Sequence, residues 1–302
     1  MSRSRAASIV LALAALAALI ALSRLGPRLV RRVVAASSRA SAPPLSVPGA
    51  MVLVPGGTFL MGTNDGFFAE ELPVHRVTVR GFYLDLTEVT VAAYSACVRR
   101  GACEPAPVTA DWPDIYPPER SLASSLCNGD RPDRQDHPVN CLNWSQADAY
   151  CRSVGRRLPT EEEWEYAARG GAEQRRYAWG DAPPTERLMN ACGRECSVPM
   201  NHVRPWAPLY PASDDWVGTA PVGSFREGDG RWGLIDIAGN VQEWLSTPFC
   251  GYAEPRCATE VRTVRGPGFL GSQVFKMRAA RRNRDVPWHR SGDLGVRCAR
   301  TP

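Results

Sequence analysis

Two oxygen-bearing side chains, three residues apart, give this sequence its clearest chemical signal. Asn240 and Glu243 lie in residues 233–245, GLIDIAGNVQEWL, where an apolar run leads into Ala-Gly-Asn. Glycine and asparagine accept a positive φ most readily, so we expect a tight turn at Gly239 and Asn240. Carboxylate, amide and main-chain oxygens are the ligands of hard cations such as Ca²⁺. The stretch therefore suggests a calcium site, and the alternative is a turn asparagine followed by a capping or solvent-facing glutamate.

A second stretch, residues 157–171, reads RLPTEEEWEYAARGG and predicts a helix. Thr160 and Glu163 have the spacing of a capping box, and the three glutamates fall in the first turn, where the helix dipole favours them. The helix should run to about Arg169, before a Gly-Gly pair. We interpret this stretch as a capped helix rather than a site. Its buried stripe is expected at Trp164, Ala167 and Ala168.

Other helices and strands have weaker signals. Thr90 can cap a helix that runs through Arg100 and stops at Gly101. Ser145 and Asp148 resemble a capping box for a helix that ends at Gly155. After residue 172 the chain is rich in Pro, Gly, Asn and Trp and predicts loops. The strand candidates are residues 52–54, 59–61, 76–79, 82–84 and 294–299.

Ten cysteines indicate a covalently cross-linked protein. An even count with close pairs is typical of a disulfide framework that forms in an oxidising compartment. The alternative is a zinc site around Cys192-x-x-x-Cys196, but no second cysteine pair or histidine pair has zinc-module spacing. We therefore expect disulfides. The close pairs are Cys97 with Cys103, Cys192 with Cys196, and Cys250 with Cys257.

Common catalytic signatures do not occur in the sequence. The four histidines, at 75, 137, 202 and 289, show no metal-ligating spacing, so we expect structural hydrogen bonds from them. There is no Walker loop, no GxSxG elbow and no Rossmann fingerprint. A dispersed Ser-His-Asp set would leave no local signature, so that possibility stays open.

The charge pattern argues against a nucleic-acid partner. The formal net charge is +5, but seven arginines precede the first acidic residue, Asp65, which leaves about −2 for the rest of the chain. A nucleic-acid-binding domain would instead carry a basic patch on its folded part.

The N-terminal region predicts export. Residues 6–22 form an apolar run behind Arg3 and Arg5, typical of a secretory signal or a membrane anchor. No small-residue cleavage site follows directly, with Ser41-Ala42 a late candidate, so we favour an uncleaved anchor within residues 1–22. Five arginines after the run would by themselves keep the body inside. The cysteines argue for a periplasmic or cell-surface location, and we follow them. Residues 23–48 predict a flexible linker and residues 49–302 the folded domain.

Further motifs extend the two stretches. In chain order they resemble the sulfatase-modifying-factor family, whose founding members are the formylglycine-generating enzymes, over about residues 50–300. Upstream are MVLVPGGTFLMGT at 51–63, PVHRVTVRGFYLDLTEVT at 73–90 and HPVNCLNWSQADAYC at 137–151. Downstream are YAWGD at 177–181, GTAPVGSF at 218–225 and DLGVRCA at 293–299.

The resemblance implies an α+β fold related to C-type lectins, loop-rich and low in regular secondary structure. It also implies a Cys151–Cys298 disulfide, which leaves Cys127 and Cys141 to pair. Two calcium sites would follow. One would use Asn190, the Ala191 carbonyl, Asp214 or Asp215, and a carbonyl such as that of Trp216. The other would use Asn240, Glu243 and a carbonyl such as that of Val241.

The resemblance breaks down where the active enzymes hold copper. Those enzymes carry two Cu(I)-binding cysteines in a pattern like RGGSxLCxxxxC, and soft thiolates suit that ion. Here the segment reads RGPGFLGSQVFK, so Gly268 replaces the serine, Gly271 the first cysteine and Lys276 the second. Copper is therefore not expected.

We thus expect an exported, calcium-stabilised module that binds an unidentified protein or small ligand. The alternatives are an enzyme of the same family, through divergent sulfatase maturation or non-haem iron chemistry, and a generic structural module. Arg265, Phe269 and Trp288 are candidates for lining a groove, with ordinary packing and salt bridging as the alternative interpretation.

Overall fold

The computed structural model describes residues 49–202, 205–254 and 256–302. The predicted anchor at 1–22 and linker at 23–48 lie outside the described residues. Within them, no helix combines the length and apolar character needed to cross a membrane.

Two small antiparallel sheets form from the N-terminal third of the domain. Strand β1 (Met51–Val54) pairs with β4 (Phe82–Asp85), and β4 also pairs with β9 (Ala299–Arg300) near the end of the chain. Strands β2 (Gly57–Met61) and β3 (His75–Val79) form a separate pair. The four predicted strands are all present, each one or two residues longer than expected.

The largest sheet joins the turn at Asn240 to the segment after β6 that contains Gly268, Gly271 and Lys276. Its order is β7 (Arg282–Asp285), β6 (Arg262–Arg265), β5 (Gln242–Pro248) and β8 (Leu294–Gly295). Strands β5, β6 and β7 are antiparallel, and β8 runs parallel to β5. The predicted single strand over 294–299 is wrong, because β8 and β9 belong to different sheets.

Within the described ranges, five α-helices and six 3₁₀ turns complete the fold. The α-helices are α1 (Val91–Arg99), α2 (Pro117–Ser125), α3 (Trp144–Ser153), α4 (Glu161–Ala168) and α5 (Arg194–Met200). The 3₁₀ turns are Ala69–Glu71, Pro132–Arg134, Gly171–Glu173, Arg226–Gly228, Arg231–Gly233 and Val274–Lys276. Helices α2 and α5 were not predicted. Their sequences, PPERSLASS and RECSVPM, lack an apolar period and carry prolines.

The helix caps follow the sequence in two of three cases. The Thr90 hydroxyl accepts from the Ala93 N–H at the start of α1. Thr160 and Glu163 form the expected reciprocal capping box of α4. The prediction for α3 is wrong by two residues, because its capping box is Asn143 with Gln146 rather than Ser145 with Asp148.

Helix α4 lies inside the protein rather than on its surface. Trp164, Ala167 and Ala168 are buried as expected, but Glu161 and Glu165 are buried too, at 2% and 0% exposure. An isolated buried carboxylate is costly, so these glutamates require cations. Arginines from the large sheet supply them. Glu161 accepts from Arg282 at 2.6 and 2.8 Å, and Glu165 pairs with Arg265.

Five disulfides join all ten cysteines. The pairs are 97–103, 127–141, 151–298, 192–196 and 250–257, the same five that the cysteine pattern and the resemblance gave. Cys151 on α3 and Cys298 beside β9 span 147 residues and close the longest loop. A framework of this density is typical of proteins that fold outside the cytoplasm.

Candidate ligand-binding site

A cavity of about 500 Å³ lies between helix α2, helix α5 and the large sheet. This volume falls within the range of small-molecule sites. Its floor is formed by the ends of β5, β6 and β7 and by the segment that follows β6. Gly268, Gly271 and Lys276, the positions identified through the resemblance, all line it.

One wall of the cavity is apolar. Helix α2 contributes two residues from its C-terminal half, and Met200 at the end of α5 faces the same space. Residues of this wall pack around the Cys192–Cys196 disulfide. The apolar lining residues are Leu122, Ala123, Leu126, Met200, Trp206, Leu270 and Met277.

Another part of the lining carries a chain of hydrogen bonds. Asn283 Nδ2 donates to Gln242 Oε1 at 2.5 Å, and Gln242 Nε2 donates to Asp293 Oδ2 at 3.0 Å. The Ser291 hydroxyl donates to the other oxygen of Asp293. Beside this chain His289 Nδ1 lies 2.5 Å from Asp285 Oδ1. These contacts hold the polar side chains in place before any ligand arrives.

Most of this polar wall was not predicted from the sequence. Asn283 and Asp285 lie two residues apart on β7, so they share a face of the sheet, and a period-two pattern could have indicated this. Gln242 and His289 gave no such signal, because the chain brings them together from segments 47 residues apart.

The space beside Gly271 is filled by a neighbouring side chain. A Cβ atom at Gly271 would lie 2.8 Å from Met277 Cε and 3.1 Å from Met277 Sδ. A Cβ at Gly268 would lie 2.8 Å from the Asp293 carbonyl oxygen. Contacts under 3.0 Å require the surroundings to shift. These two glycines are therefore built into the packing of the loop.

The donors in this region do not fit a Cu(I) centre. Gly271 offers no side chain, and the Lys276 ammonium repels a cation and provides no thiolate. Every cysteine of the sequence is held in a disulfide, including Cys192, whose N–H donates to the Gly271 carbonyl at 2.9 Å. A disulfide is not a thiolate ligand.

The three residues suggested for a groove do not lie together. Arg265 is fully buried and paired with Glu165, and Phe269 is 1% exposed. Trp288 is 48% exposed and lines a different, shallower depression with Val286. For Arg265 and Phe269 the structure corresponds to the alternative interpretation of packing and salt bridging.

The turn at residues 238–241 forms as predicted, with Gly239 at φ 104° and Asn240 at φ 61°. The Glu243 carboxylate, however, is already occupied. It accepts from Arg297 Nε at 2.9 Å and from the Trp164 indole at 2.7 Å, and it is 1% exposed. Asn240 instead contacts Glu88, whose oxygens accept from Asn240 Nδ2 and the Val241 N–H. A direct Glu243–calcium bond does not fit this arrangement, because Arg297 holds the charge.

The other expected calcium set fits a hard cation better. The Oδ1 atom of Asn190 is buried and has no hydrogen-bond partner among the described residues. Asn190 Nδ2 lies 3.4 Å from Asn240 Oδ1, so the two predicted sites adjoin. Asp214 accepts from the N–H groups of Ala191 and Trp216 and from the Tyr210 hydroxyl at 2.6 Å, so both of its oxygens already have donors, while Asp215 is exposed. Within the described ranges, no three His, Cys, Asp or Glu side chains converge as a metal-binding group.

Buried acids surround the Asn240 turn. Burial is the main cause that raises the pKa of Asp236 to about 6, although the Gly223 N–H donates to its carboxylate at 2.6 Å. Burial and the neighbouring Asp236 raise the pKa of Glu88 well above its usual value. Arg297 opposes both shifts. Several buried ionisable groups therefore lie close to this turn.

Two of the four histidines have the structural roles that were expected. His137 Nδ1 lies 3.0 Å from the Thr219 hydroxyl, and burial followed by Arg134 lowers the pKa of His137 to about 4. His75 contacts the Pro73 carbonyl. His202 is exposed on the surface. His289 differs, because it lines the cavity and stacks on Trp112.

Comparison with known proteins identifies the family of this chain. The sulfatase-modifying factor enzyme 1-like domain matches residues 37–302, and this chain belongs to that family. The formylglycine-generating enzyme of Streptomyces coelicolor is 36% identical, over 88% of this chain and 93% of that protein. The inactive C-alpha-formylglycine-generating enzyme 2 of Mus musculus is 31% identical, over 83% of this chain and 85% of that protein.

A solved structure shares the fold. PvdO from Pseudomonas aeruginosa superposes with a TM-score of 0.60 at 22% identity, over 85% of this chain and all of that one. The expected loop-rich α+β fold of the formylglycine-generating enzymes is therefore confirmed.

Proposed function

We propose that this protein is an exported ligand-binding member of the sulfatase-modifying factor family, and that it does not form formylglycine by the copper route. The observation that carries the proposal is the state of the family's copper position. Gly271 and Lys276 stand where the cysteines would be, and Met277 fills the space beside Gly271.

Loss of the copper ligands leaves the cavity itself intact. The apolar wall and the hydrogen-bonded wall still enclose about 500 Å³. Polar groups held in fixed positions beside an apolar surface are the usual composition of a binding site. The family also contains a mouse relative named as inactive, which supports a non-catalytic use of the fold.

Export follows from the disulfides together with the N-terminal sequence. Five disulfides suit an oxidising compartment. The apolar run at 6–22 would deliver the chain there and, if uncleaved, hold it at the membrane.

Calcium would stabilise the domain without taking part in chemistry. Asn190 Oδ1, the Asp214 carboxylate and main-chain oxygens would hold it, next to Asn240. If a cation binds only the folded state, a calcium concentration one hundred times its Kd adds about 2.7 kcal/mol to the free energy of unfolding. We expect a chelator to lower the melting temperature of the wild type but not that of Asn190→Ala. An unchanged melting temperature of the wild type in the presence of the chelator would contradict calcium binding.

The second candidate is a family enzyme with formylglycine-forming activity. Identity of 36% to the Streptomyces coelicolor enzyme over most of both chains favours it. Non-haem iron chemistry usually needs two histidines and a carboxylate, whereas His289 is the one histidine that lines the described cavity.

The deciding experiment is a turnover assay. The full chain is incubated with Cu(I), oxygen and a peptide carrying the sulfatase Cys-x-Pro-x-Arg motif, and the peptide mass is measured. We expect the cysteine to stay unchanged, with the Streptomyces coelicolor enzyme as positive control. Conversion of the cysteine to an aldehyde would refute the proposal and establish the enzyme alternative.

A further inference from the structure

A row of polar side chains lines the cavity along β7. Asn283 and Asp285 lie two residues apart on this strand, so they project from the same face of the sheet, and both line the cavity. Arg282 and Arg284 alternate with them and lie over the Phe249 ring, 4.6 and 5.0 Å from its centroid. The alternation therefore directs the amide and the carboxylate of β7 to the cavity and its two guanidinium groups to the other face of the sheet.

The hydrogen-bond chain beside this row can run in only one direction. A carboxylate only accepts hydrogen bonds, so Gln242 must turn its NH₂ group to Asp293, at 3.0 Å. Gln242 Oε1 then faces Asn283, which must supply its own NH₂ group, at 2.5 Å. The Asn283 Oδ1 atom is left over, and it accepts no hydrogen bond from the residues that the structure describes. Asn283 therefore presents an acceptor to a ligand.

The pair next to Asn283 presents two further acceptors. Asp285 Oδ1 contacts His289 Nδ1 at 2.5 Å and accepts from the Val286 N–H at 3.0 Å, whereas Oδ2 has no partner in the described part of the chain. Two acceptor atoms would repel each other at 2.5 Å, so a neutral imidazole carries its proton on Nδ1. His289 Nε2 is then an acceptor, and it makes no hydrogen bond within the described ranges. Stacking on Trp112, with ring centroids 5.5 Å apart, holds the imidazole in place.

The carboxylates beside these acceptors keep their charge. Asp293 accepts only from the neutral Gln242 and Ser291 side chains. Asp285 contacts the His289 imidazole. Among the described residues, no arginine or lysine lies within ion-pair distance of Asp285 or Asp293. The free acceptors therefore stand beside two negative charges.

The other ionisable groups of the lining leave this balance in place. Arg281 is paired with Glu70, with Nη1 and Oε1 3.0 Å apart. Glu119 on α2 has a partner of its own. Lys276 adds one positive charge at the exposed rim. Around the acceptors of β7, negative charge exceeds positive charge.

The same cavity also needs an apolar occupant. Leu122, Leu126 and Met200 line it from two helices. An inorganic cation would leave this apolar wall uncovered. A wholly apolar ligand would displace water from the free acceptors and leave them unpaired, which costs about 1–3 kcal/mol for each buried group.

We infer that the cavity binds a small molecule with an apolar body and a protonated amine, the ammonium group at Asn283, Asp285 and His289 and the body against the apolar wall. The inference rests on the proposed ligand-binding function and names the ligand class of that site. An ammonium group offers three donors and no acceptor, so it matches free acceptors beside carboxylates. Its hydrogen bond to a carboxylate is about twice as strong as one between neutral groups.

The test compares three probes that share one ring system. Binding of 2-naphthylmethylamine, 2-naphthylmethanol and 2-naphthoate to the full chain is measured by isothermal titration calorimetry. We expect the amine to bind about tenfold more tightly than the alcohol, the scale of one charge-assisted hydrogen bond, and the naphthoate to bind most weakly. Added salt should weaken binding of the amine but not of the alcohol.

A charge-removing variant locates the contact. Asp285→Asn keeps the shape of the side chain, and it should lose about tenfold in affinity for the amine and keep its affinity for the alcohol. The matched control is Asp133→Asn, which removes a carboxylate that is 58% exposed and does not line the cavity, and it should bind like wild type. Melting curves confirm that both variants are folded.

Three outcomes would overturn the inference. They are the absence of saturable amine binding, an affinity for the alcohol or the naphthoate that equals that for the amine, and wild-type amine affinity in Asp285→Asn. None of them bears on the turnover assay. An aldehyde product would refute the proposed function even if the amine binds, and a failed probe series without aldehyde would refute only the ligand class.

Discussion

A methyl group at position 271 would lie 2.8 Å from the terminal methyl of Met277, so any side chain at this position requires Met277 to move. The resemblance drew attention to Gly271 and Lys276, and the structure places both on the cavity. It could not show that Met277 fills the space beside Gly271, because that depends on how residues 271–277 fold back. The partners of Glu243 could not be predicted from the sequence either, because Trp164 and Arg297 lie 79 and 54 residues away along the chain.

Substituting Gly271 should test this packing. We expect Gly271→Ala to cost up to about 1 kcal/mol of unfolding free energy, the low end of overpacking, because the atom it meets is the far end of the flexible Met277 side chain. Gly251→Ala is the matched control, because its Cβ would meet no atom within 4 Å. Denaturant unfolding measures both. Equal stability of the two variants would mean that Met277 yields freely and that a cysteine could be accommodated.

The buried Asp236 should make stability depend on pH. Its pKa is raised to about 6 in the folded state, from 3.8 for the free group. Between about pH 4 and pH 6 the folded state thus keeps a proton that the unfolded state has lost, so stability falls as pH rises through this window. Asp236→Asn should remove up to about 3 kcal/mol of that fall, as measured by urea unfolding at several pH values. An unchanged pH profile would contradict it.

At the scale of elements, local signals predicted where helices start but not what surrounds them. Thr160 and Glu163 sufficed for α4, because a capping box is a contact within one turn. For α3 two capping patterns overlap, and the structure uses Asn143, the position that lets the Trp144 indole donate to the Leu245 carbonyl. The burial of the α4 glutamates was not predictable, since Glu165 meets Arg265 across 100 residues.

The Arg–Glu pairs under α4 should be far more costly to break than surface pairs. Glu165→Gln leaves Arg265 buried beside a neutral amide and should cost about 3–5 kcal/mol. Glu173→Gln interrupts the pairs with Arg175 and Arg231, in which the glutamate is 41% exposed, and should cost at most about 1 kcal/mol. Denaturant unfolding measures the stability of both variants. A similar loss of unfolding free energy in the two would show that the buried pairs contribute no more than the exposed ones.

At the scale of the whole molecule, the family resemblance predicted the fold. The cysteine pattern predicted most of the disulfides. Composition alone indicated only a loop-rich domain. The sheet topology could not be read from the sequence, because β9 pairs with β4 and β8 with β5 across more than 50 residues. Such pairings are set by the assembled core, not by local propensity.

The 151–298 disulfide should be the most stabilising cross-link. In the chain-entropy account, closing a 147-residue loop is worth about 5 kcal/mol and a six-residue loop about 2. Cys151→Ala/Cys298→Ala should therefore unfold at much lower urea than Cys97→Ala/Cys103→Ala. Equal losses would show that loop length does not set the contribution of these bonds.

Lys276 is the only lysine of the sequence, and it stands exposed at the rim of the cavity. Burial, with repulsion from Arg281 second, lowers the pKa of its ammonium, which increases the fraction of free amine at a given pH. An acylating reagent thus finds a single side-chain amine in the whole protein, located at the site of interest. A dye attached there would report directly on the occupancy of the cavity, without any engineered labelling position.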